Sequence, residues 1–433
     1  MPDVRPRVLA VLPALFPSTV IGVAKPLLRL HRDERISLEL TLQYLVSRRA
    51  VERADAMVLC HTVDPHYGVI LEWARELGRP IIYEIDDDLL AVPEHLPGLA
   101  YLREPARREQ LLACIRQADV VRVYSPALQA KLASYNANVS LVAGPLDWSL
   151  MPDAPPRRTA GTVKMVYATS RAQDTIGTML VAPLLRTLDA HPHVELTIWG
   201  PRLDRLSEHP RVRSRPLIRD YDRFFERFAR EGFDIGLAPL PDDEFHRGKS
   251  NNKFREYAAC GIAGIYSDTS VYDTSVEHNV TGLLVRNDDH EWHAALARLI
   301  GDAALCKAIG DRARQYAATH FTEAITDNAW LAPIIRLAAA GPRSRPAAST
   351  ASGAETIIGV ARFVSRLAAK AGPVRRAHGA RVMWQRVWVH SLGLAQLATW
   401  EIKRRRLERR VARQRASHQR SGVVPGKTTR LTE

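Results

Sequence analysis

Short runs of apolar and β-branched residues alternate, along the first 340 residues, with longer segments whose apolar positions recur at helical spacing. This alternation predicts stacked βαβ units built on a parallel sheet. A stretch crowded with proline and arginine at 147–161 separates two such series. The strands are predicted at 8–12, 56–60, 80–85, 120–124 and 139–143 in the first series, and at 163–168, 194–199, 234–239, 262–266 and 282–285 in the second.

Two series of this kind predict an α/β protein with two tandem Rossmann-like domains. We place the N-terminal domain at 1–150, a linker at 151–162 and the second domain at 163–336. A flexible linker at 337–353, rich in Ala, Gly, Ser, Pro and Arg, leads to a basic helical extension at 354–433 with a disordered end. Ligands of such sheets bind beyond the carboxyl ends of the strands, so we expect the two domains to share a cleft.

The positive charge is concentrated at the end of the chain. The sequence has 61 Lys and Arg, 47 Asp and Glu and a formal charge of +14. Residues 341–433 hold 20 basic and 4 acidic side chains, whereas the residues before them come to −2. The basicity therefore carries no information about the substrate of the two domains. The four cysteines stand singly without a CxxC pair, which indicates reduced thiols rather than a metal site.

The most informative segment is a predicted buried strand followed by a polar loop and a helix, at 233–261. Ser250 or Asn251 is expected to cap this helix, and Lys249 and Lys253 flank its start. Free amide groups, the positive end of the helix dipole and two lysines suit the binding of a diphosphate. Glu256 lies one turn further along and could accept hydrogen bonds from vicinal hydroxyls such as those of a ribose.

The run Lys-Ser-x-x-Lys-Phe-x-Glu-Tyr-Ala-Ala-x-Gly at 249–261 resembles the donor site of a bacterial branch of glycosyltransferase family 4, whose members have the GT-B fold. The resemblance covers about residues 7–330. It implies transfer of a sugar from a nucleotide diphosphate donor with retention, and without a required metal or other cofactor. The broad family carries Glu-x7-Glu on this helix, and Glu256 matches the second Glu. Gly248 stands where the first Glu would be, so the resemblance does not identify the sugar.

Other candidate donor residues follow predicted strands of the second domain. Thr169, Ser170 and Arg171 lie where family members place a basic residue against the donor phosphates, and an arginine can contact phosphate with two hydrogen bonds. A solvated arginine in a loop is the alternative interpretation. Glu277 lies in a segment that resembles the family's loop next to the nucleotide, although a surface loop explains it nearly as well.

In the first domain, Ser18 and Thr19 belong to a loop of small residues that resembles the one facing the donor phosphates and the acceptor in GT-B enzymes. A plain connecting turn is an equal alternative, because the loop lacks a glycine-rich fingerprint. His61 ends the predicted strand at 56–60 and is expected to face the cleft. It is a candidate for contact with substrate or for catalysis, and a structural histidine is the alternative.

Three adjacent carboxylates, Asp86, Asp87 and Asp88, follow the predicted strand at 80–85. They could line the acceptor side of the cleft or cap the next helix, hold a divalent cation as an Asp-x-Asp motif, or repel one another so that the pKa of one rises and it acts as a general base. We favour the acceptor-side or structural role, because the second domain has a cationic donor site of its own.

The C-terminal extension has the features of a surface that binds an anionic membrane. Residues 354–415 combine an apolar helical face, three tryptophans and a dense basic run. Nucleic acid accounts for the arginines but not for the apolar face, and an idle solvated extension is the other alternative. The apolar face consists of Ile357, Val360, Val364 and Leu367, the tryptophans are Trp384, Trp388 and Trp400, and the basic run lies at 403–410.

Together these features predict a retaining glycosyltransferase that moves a hexose or related sugar to a glycan or lipid-linked acceptor during surface polysaccharide synthesis. The N-terminus lacks a convincing signal-peptide cleavage site, and no uncharged stretch reaches the 18 residues of a membrane-spanning helix. We therefore expect a cytoplasmic protein on the inner face of the membrane. Two alternatives are a nucleotide-sugar epimerase that uses the same cleft, and a catalytically silent module whose basic tail binds the membrane.

Overall fold

The computed structural model describes residues 5–152, 156, 161–170, 177, 179–341 and 402–413. Three groups of predictions lie outside the described residues. They are the phosphate contact of Arg171, the apolar face from Ile357 to Leu367, and the membrane contacts of Trp384, Trp388 and Trp400.

The predicted fold class is confirmed by two parallel six-stranded sheets flanked by helices. The strand order is β2-β1-β3-β4-β5-β6 in the first sheet and β12-β11-β10-β7-β8-β9 in the second. The strands are β1 (Arg7–Leu12), β2 (Ser37–Leu42), β3 (Ala56–Cys60), β4 (Ile81–Glu84), β5 (Val120–Val123), β6 (Val139–Leu141), β7 (Val163–Ala168), β8 (Val194–Trp199), β9 (Val212–Arg215), β10 (Ile235–Ala238), β11 (Ala263–Ser267) and β12 (Leu283–Val285).

The helices of the described residues lie mainly between successive strands, as βαβ units require. They are α1 (Pro17–Thr19), α2 (Lys25–Arg32), α3 (Arg48–Arg53), α4 (Gly68–Glu76), α5 (Pro105–Gln117), α6 (Pro126–Leu132), α7 (Val181–Ala190), α8 (Asp204–Ser207), α9 (Tyr221–Arg230), α10 (Glu244–Arg247), α11 (Asn252–Ala259), α12 (Asp289–Gly301), α13 (Ala303–His320), α14 (Glu323–Ala339) and α15 at 402–413. Short segments of other helix types occur at Val20–Ala24, Gln43–Leu45, Pro65–Tyr67, Pro97–Arg103 and Trp148–Leu150.

The chain divides into two compact units that are not simple halves of the sequence. Among the described residues, the first unit comprises 5–15, 22–82, 330–341 and 402–413, and the second comprises 16–21 and the described part of 83–329. All strands of the first sheet precede residue 142, and all strands of the second sheet follow residue 162. The domain boundaries proposed from the sequence stay a prediction.

In the second unit, the core holds α11 firmly against the second sheet. Phe254, Tyr257 and Ala258 are fully buried, and the Tyr257 hydroxyl donates to the Leu237 carbonyl at 2.8 Å. Gly236 in β10 permits this close packing, because a Cβ there would lie 2.5 Å from the Tyr257 ring. Gly261 then ends the segment with a φ of 65°, a left-handed conformation that favours glycine. The start of α11 is therefore held by the sheet behind it.

In the first unit, α14 and α15 pack onto residues near the N-terminus. The Trp330 indole of α14 donates to the Gly22 carbonyl at 2.8 Å, and Arg32 donates to the Val411 carbonyl of α15 at 2.6 Å. Leu407 and Val411 of α15 are buried. The apolar side of α15 is therefore covered by protein.

Candidate functional site

A pocket of about 420 Å³ opens within the second unit, beyond the carboxyl ends of several strands. Residues at or beyond the carboxyl ends of β4, β7, β8 and β10 contribute to its wall, which is where the sequence predicts the ligand. Nine of the residues proposed from the sequence line it, namely Ser18, Asp86, Asp87, Thr169, Ser170, Lys249, Ser250, Lys253 and Glu256.

The start of α11 lies on the wall of this pocket. Asn251 is the N-cap residue, but its Nδ2 donates to Ser275 Oγ at 2.6 Å and its side chain makes no cap. Ser250 lies on the pocket wall one residue earlier. Asn251 therefore occupies the predicted N-cap position, but its side chain makes no capping bond because it binds a neighbouring loop. The amide groups of the first turn are left for another acceptor.

The two lysines proposed for phosphate binding each hold a carboxylate. Lys249 Nζ donates to both oxygens of Asp87, at 2.9 and 3.0 Å, and lies 4.5 Å from the centre of the Phe245 ring. Lys253 Nζ donates to Glu256 Oε2 at 2.6 Å, one turn along α11. The described pocket wall thus carries positive charge that is locally balanced by carboxylates.

Asp86, Asp87 and Asp88 form the acidic turn after β4, and their side chains lie partly in the pocket and partly in the core. Asp86 and Asp87 line the pocket, whereas the side chain of Asp88 is buried and bonded to Lys131 Nζ at 2.6 Å. Burial raises the pKa of Asp88, and the hydrogen bond to Lys131 opposes that shift. The raised pKa therefore comes from burial rather than from repulsion within the turn. Asp88 also lies off the pocket wall, so its raised pKa does not support the alternative in which repulsion among the three carboxylates creates a general base.

Four further candidates lie elsewhere in the structure. Thr19 is buried, and its hydroxyl accepts from the Phe16 amide at 2.9 Å and donates to the Phe16 carbonyl at 3.0 Å, which caps α1. Glu277 is exposed in its loop, where its amide donates to Thr281 Oγ1. His61 belongs to the first unit and has a left-handed φ of 48°. Asn251 is absent from the pocket wall because its side chain binds Ser275.

Three aromatic side chains, which were not predicted from the sequence, form a wall of the pocket that faces these polar groups. It consists of Trp199 from the end of β8 and Tyr221 and Phe224 from α9, with the Trp199 and Phe224 rings 5.4 Å apart and edge to face. Burial raises the pKa of Tyr221 well above its ordinary value, and the nearby Glu256 carboxylate adds to the shift. The spacing of aromatic residues in the sequence of α9 could have indicated this wall.

His246 is a second residue that was missed. It lines the pocket, is nearly fully buried, and its Nδ1 lies 2.8 Å from both carboxylate oxygens of Asp243. The Asp-x-x-His spacing at the start of α10 is the sequence signal that could have found this pair. A carboxylate that accepts a hydrogen bond from Nδ1 favours the tautomer with its proton on Nδ1, and Nε2 of His246 is then a hydrogen-bond acceptor.

A match in sequence covers part of the second sheet and its helices. Residues 177–327 match the sequence model of the family described as Glycosyl transferase-like. No curated protein matches the chain significantly in sequence.

Three similar solved structures each align with most of this chain and over their own full length. Sucrose-phosphate synthase from Thermosynechococcus elongatus is 14% identical with a TM-score of 0.61, over 78% of this chain and 100% of that chain. HepE from Anabaena in complex with UDP and glucose is 16% identical with a TM-score of 0.56, over 77% and 100%. A putative UDP-N-acetylglucosamine 2-epimerase from Listeria monocytogenes is 10% identical with a TM-score of 0.53, over 80% and 100%.

The similar structures show the GT-B fold, and the family match supports a glycosyltransferase. The predicted GT-B fold is thereby confirmed. Membership of family 4 stays a prediction.

Proposed function

We propose that the protein is a retaining glycosyltransferase that binds a nucleotide diphosphate sugar in this pocket. It transfers a hexose or related sugar to a glycan or lipid-linked acceptor in surface polysaccharide synthesis, without a required metal or other cofactor. The observation that carries the proposal is the start of α11, where Lys249 and Lys253 line a pocket at the carboxyl ends of the strands. The nucleotide complexes of HepE support a nucleotide donor.

In the proposed reaction, the two lysines and the first-turn amides of α11 bind the diphosphate. Fixed positive charge stabilises the phosphate that leaves when the glycosidic bond to it breaks. Glu256 then accepts hydrogen bonds from the ribose, once its contact with Lys253 is shared with the phosphate. The aromatic wall of Trp199 and Phe224 offers a flat apolar face to a nucleobase or sugar ring. Retention implies that the leaving phosphate assists attack on the same face of the sugar.

Incubation with single nucleotide sugars and no acceptor tests the proposal. We expect slow hydrolysis of one donor, release of its nucleoside diphosphate, and no effect of EDTA on the rate. Formation of an epimerised nucleotide sugar would favour the epimerase instead. A protein that binds no nucleotide by calorimetry and hydrolyses no donor would be the silent module.

We also propose that the C-terminal extension attaches the enzyme to an anionic membrane. The support from the described residues is α15, whose buried Leu407 and Val411 leave Lys403, Arg405 and Arg406 exposed. Each basic residue near an anionic surface contributes about 1 kcal/mol. Within the part of the chain that the structure describes, no helix is long and apolar enough to cross a bilayer.

The full chain is expected to sediment with vesicles that contain phosphatidylglycerol, and less so in high salt, because the attraction is largely electrostatic. A chain that ends at Ala340 should stay in the supernatant and keep its affinity for the donor nucleotide. Replacing Lys403, Arg405 and Arg406, each with glutamine, should also reduce sedimentation of the full chain, because it weakens the electrostatic attraction to the vesicles. Equal sedimentation of the truncated and full chains would contradict the proposal, and binding to DNA but not to vesicles would favour nucleic acid.

A further inference from the structure

Lys249 and Asp87 form an ion pair on the pocket wall. The lysine suits the binding of a phosphate, whereas the carboxylate would repel a phosphate. Asp87 accepts from Lys249 Nζ through both oxygens, at 2.9 and 3.0 Å. The two side chains are 20% and 29% exposed, and both line the pocket. A phosphate bound to Lys249 would therefore take the place that the Asp87 carboxylate occupies.

The backbone of Asp87 is held in place by its neighbour. Asp88 is buried, binds Lys131 Nζ at 2.6 Å and accepts from the Leu90 amide at 3.1 Å. A Cβ on Gly248 would lie 2.5 Å from Asp88 Cβ and 3.1 Å from the Asp88 amide nitrogen. The acidic turn and the residue before Lys249 are thus packed backbone against backbone.

Further contacts tie these two segments to α6 and to its N-cap residue Ser125. Ser125 Oγ donates to the Arg247 carbonyl at 2.7 Å, and Lys131 also binds Glu244 at 2.8 Å. Because these contacts fix both main chains, Lys249 is released most easily by rotation of the Asp87 side chain. That side chain lines the pocket and is partly exposed.

We propose that Asp87 competes with the donor diphosphate for Lys249, and that its return to Lys249 after transfer promotes release of the nucleoside diphosphate. Asp87 is then a positioning residue that sets donor and product affinity without touching the reacting atoms. This inference rests on the proposed function, since it assigns Lys249 to the phosphates. The physical basis is that one ammonium group cannot hold a carboxylate and a phosphate close together without repulsion between the two anions.

The experiment is calorimetric titration of the full chain with UDP, ADP and GDP, followed by the matching nucleoside of the tightest ligand. Asp87→Asn should tighten binding of that nucleoside diphosphate by about two- to fivefold, the range expected for a partly exposed charge pair. Binding of the nucleoside, which brings no phosphate to Lys249, should not change. In turnover assays the variant should show a lower KM for the donor and stronger inhibition by the nucleoside diphosphate.

Asp242→Asn is the matched control. Asp242 also pairs with a cation of this loop, Arg247 at 2.7 Å, but it is half exposed and does not line the described pocket wall. Its replacement should leave nucleotide affinity unchanged. Thermal unfolding checks that Asp87→Asn is folded, and Asp87→Ser serves if it is not.

Unchanged or weaker diphosphate binding in a folded Asp87 variant would overturn the inference and leave the proposed function standing. Tightening of the nucleoside by the same factor would also overturn it, because the effect would not pass through the phosphates. If the wild-type chain binds none of the three nucleotides, the proposed donor site fails and the inference fails with it.

Discussion

Lys249→Ala is expected to lower turnover by about 100- to 1000-fold, the usual effect of removing one preorganised group that stabilises developing negative charge. Lys249 supplies fixed positive charge at the start of α11, on the wall of the pocket. The fold should hardly change, because the ion pair with Asp87 is partly exposed and such pairs contribute at most about 1 kcal/mol to stability. The measurements are kcat with the identified donor and the midpoint of thermal unfolding.

Lys307→Ala is the matched control for this variant. Lys307 also pairs with a carboxylate, Asp311 on the same helix α13, but it is exposed and lies outside the described pocket wall. Its loss should leave both kcat and the unfolding midpoint near the wild-type values. Full activity of Lys249→Ala would show that the diphosphate binds elsewhere.

Gly248→Ala is expected to lower the free energy of unfolding by about 1 to 3 kcal/mol, the range for overpacking a close contact. The new Cβ would lie 2.5 Å from Asp88 Cβ and 3.3 Å from Asp88 Cα, and neither atom is the end of a flexible side chain. Asp88 is also held by Lys131, so it cannot easily withdraw. Denaturant unfolding of the full chain measures the change.

Gly301→Ala provides the comparison, because a Cβ at Gly301 meets no described atom within 4 Å. That variant should be as stable as the wild type. Gly248→Glu would restore the first Glu of Glu-x7-Glu, but we expect it to be at least as unstable as Gly248→Ala and to gain no activity. A Gly248→Ala protein with wild-type stability would contradict the proposed packing of the acidic turn.

Most of the strands that the sequence predicted are largely buried, although the partly exposed edge strand Val139–Leu141 was predicted as well. Ala56–Cys60 is entirely buried and reads as a continuous apolar run, which the hydrophobic pattern detects readily. Ser37–Leu42 and Val212–Arg215 were missed, and each lies at an edge of its sheet with polar, partly exposed residues. Edge strands carry less of the apolar signal on which such predictions depend.

The candidate site was partly predictable for a similar reason. Lys253 and Glu256 lie three residues apart on α11 and Lys249 lies just before this helix, so local spacing places all three near its start. The carboxylate partner of Lys249 is a different matter, because Asp87 is 162 positions away from it along the chain. The sequence also could not tell Asp88 from its neighbours, although only Asp88 is turned into the core.

The sequence by itself determined the two series of βαβ units, the cationic start of α11 and the concentration of charge at the end of the chain. These depend on periodicity, spacing and composition, which act over a few residues at a time. Only the tertiary structure decided that Asn251 binds Ser275 instead of capping α11, that Gly248 leaves room for Asp88, and that Lys249 faces Asp87. Such contacts join segments far apart in the chain, and their geometry is set by how the sheets and helices pack.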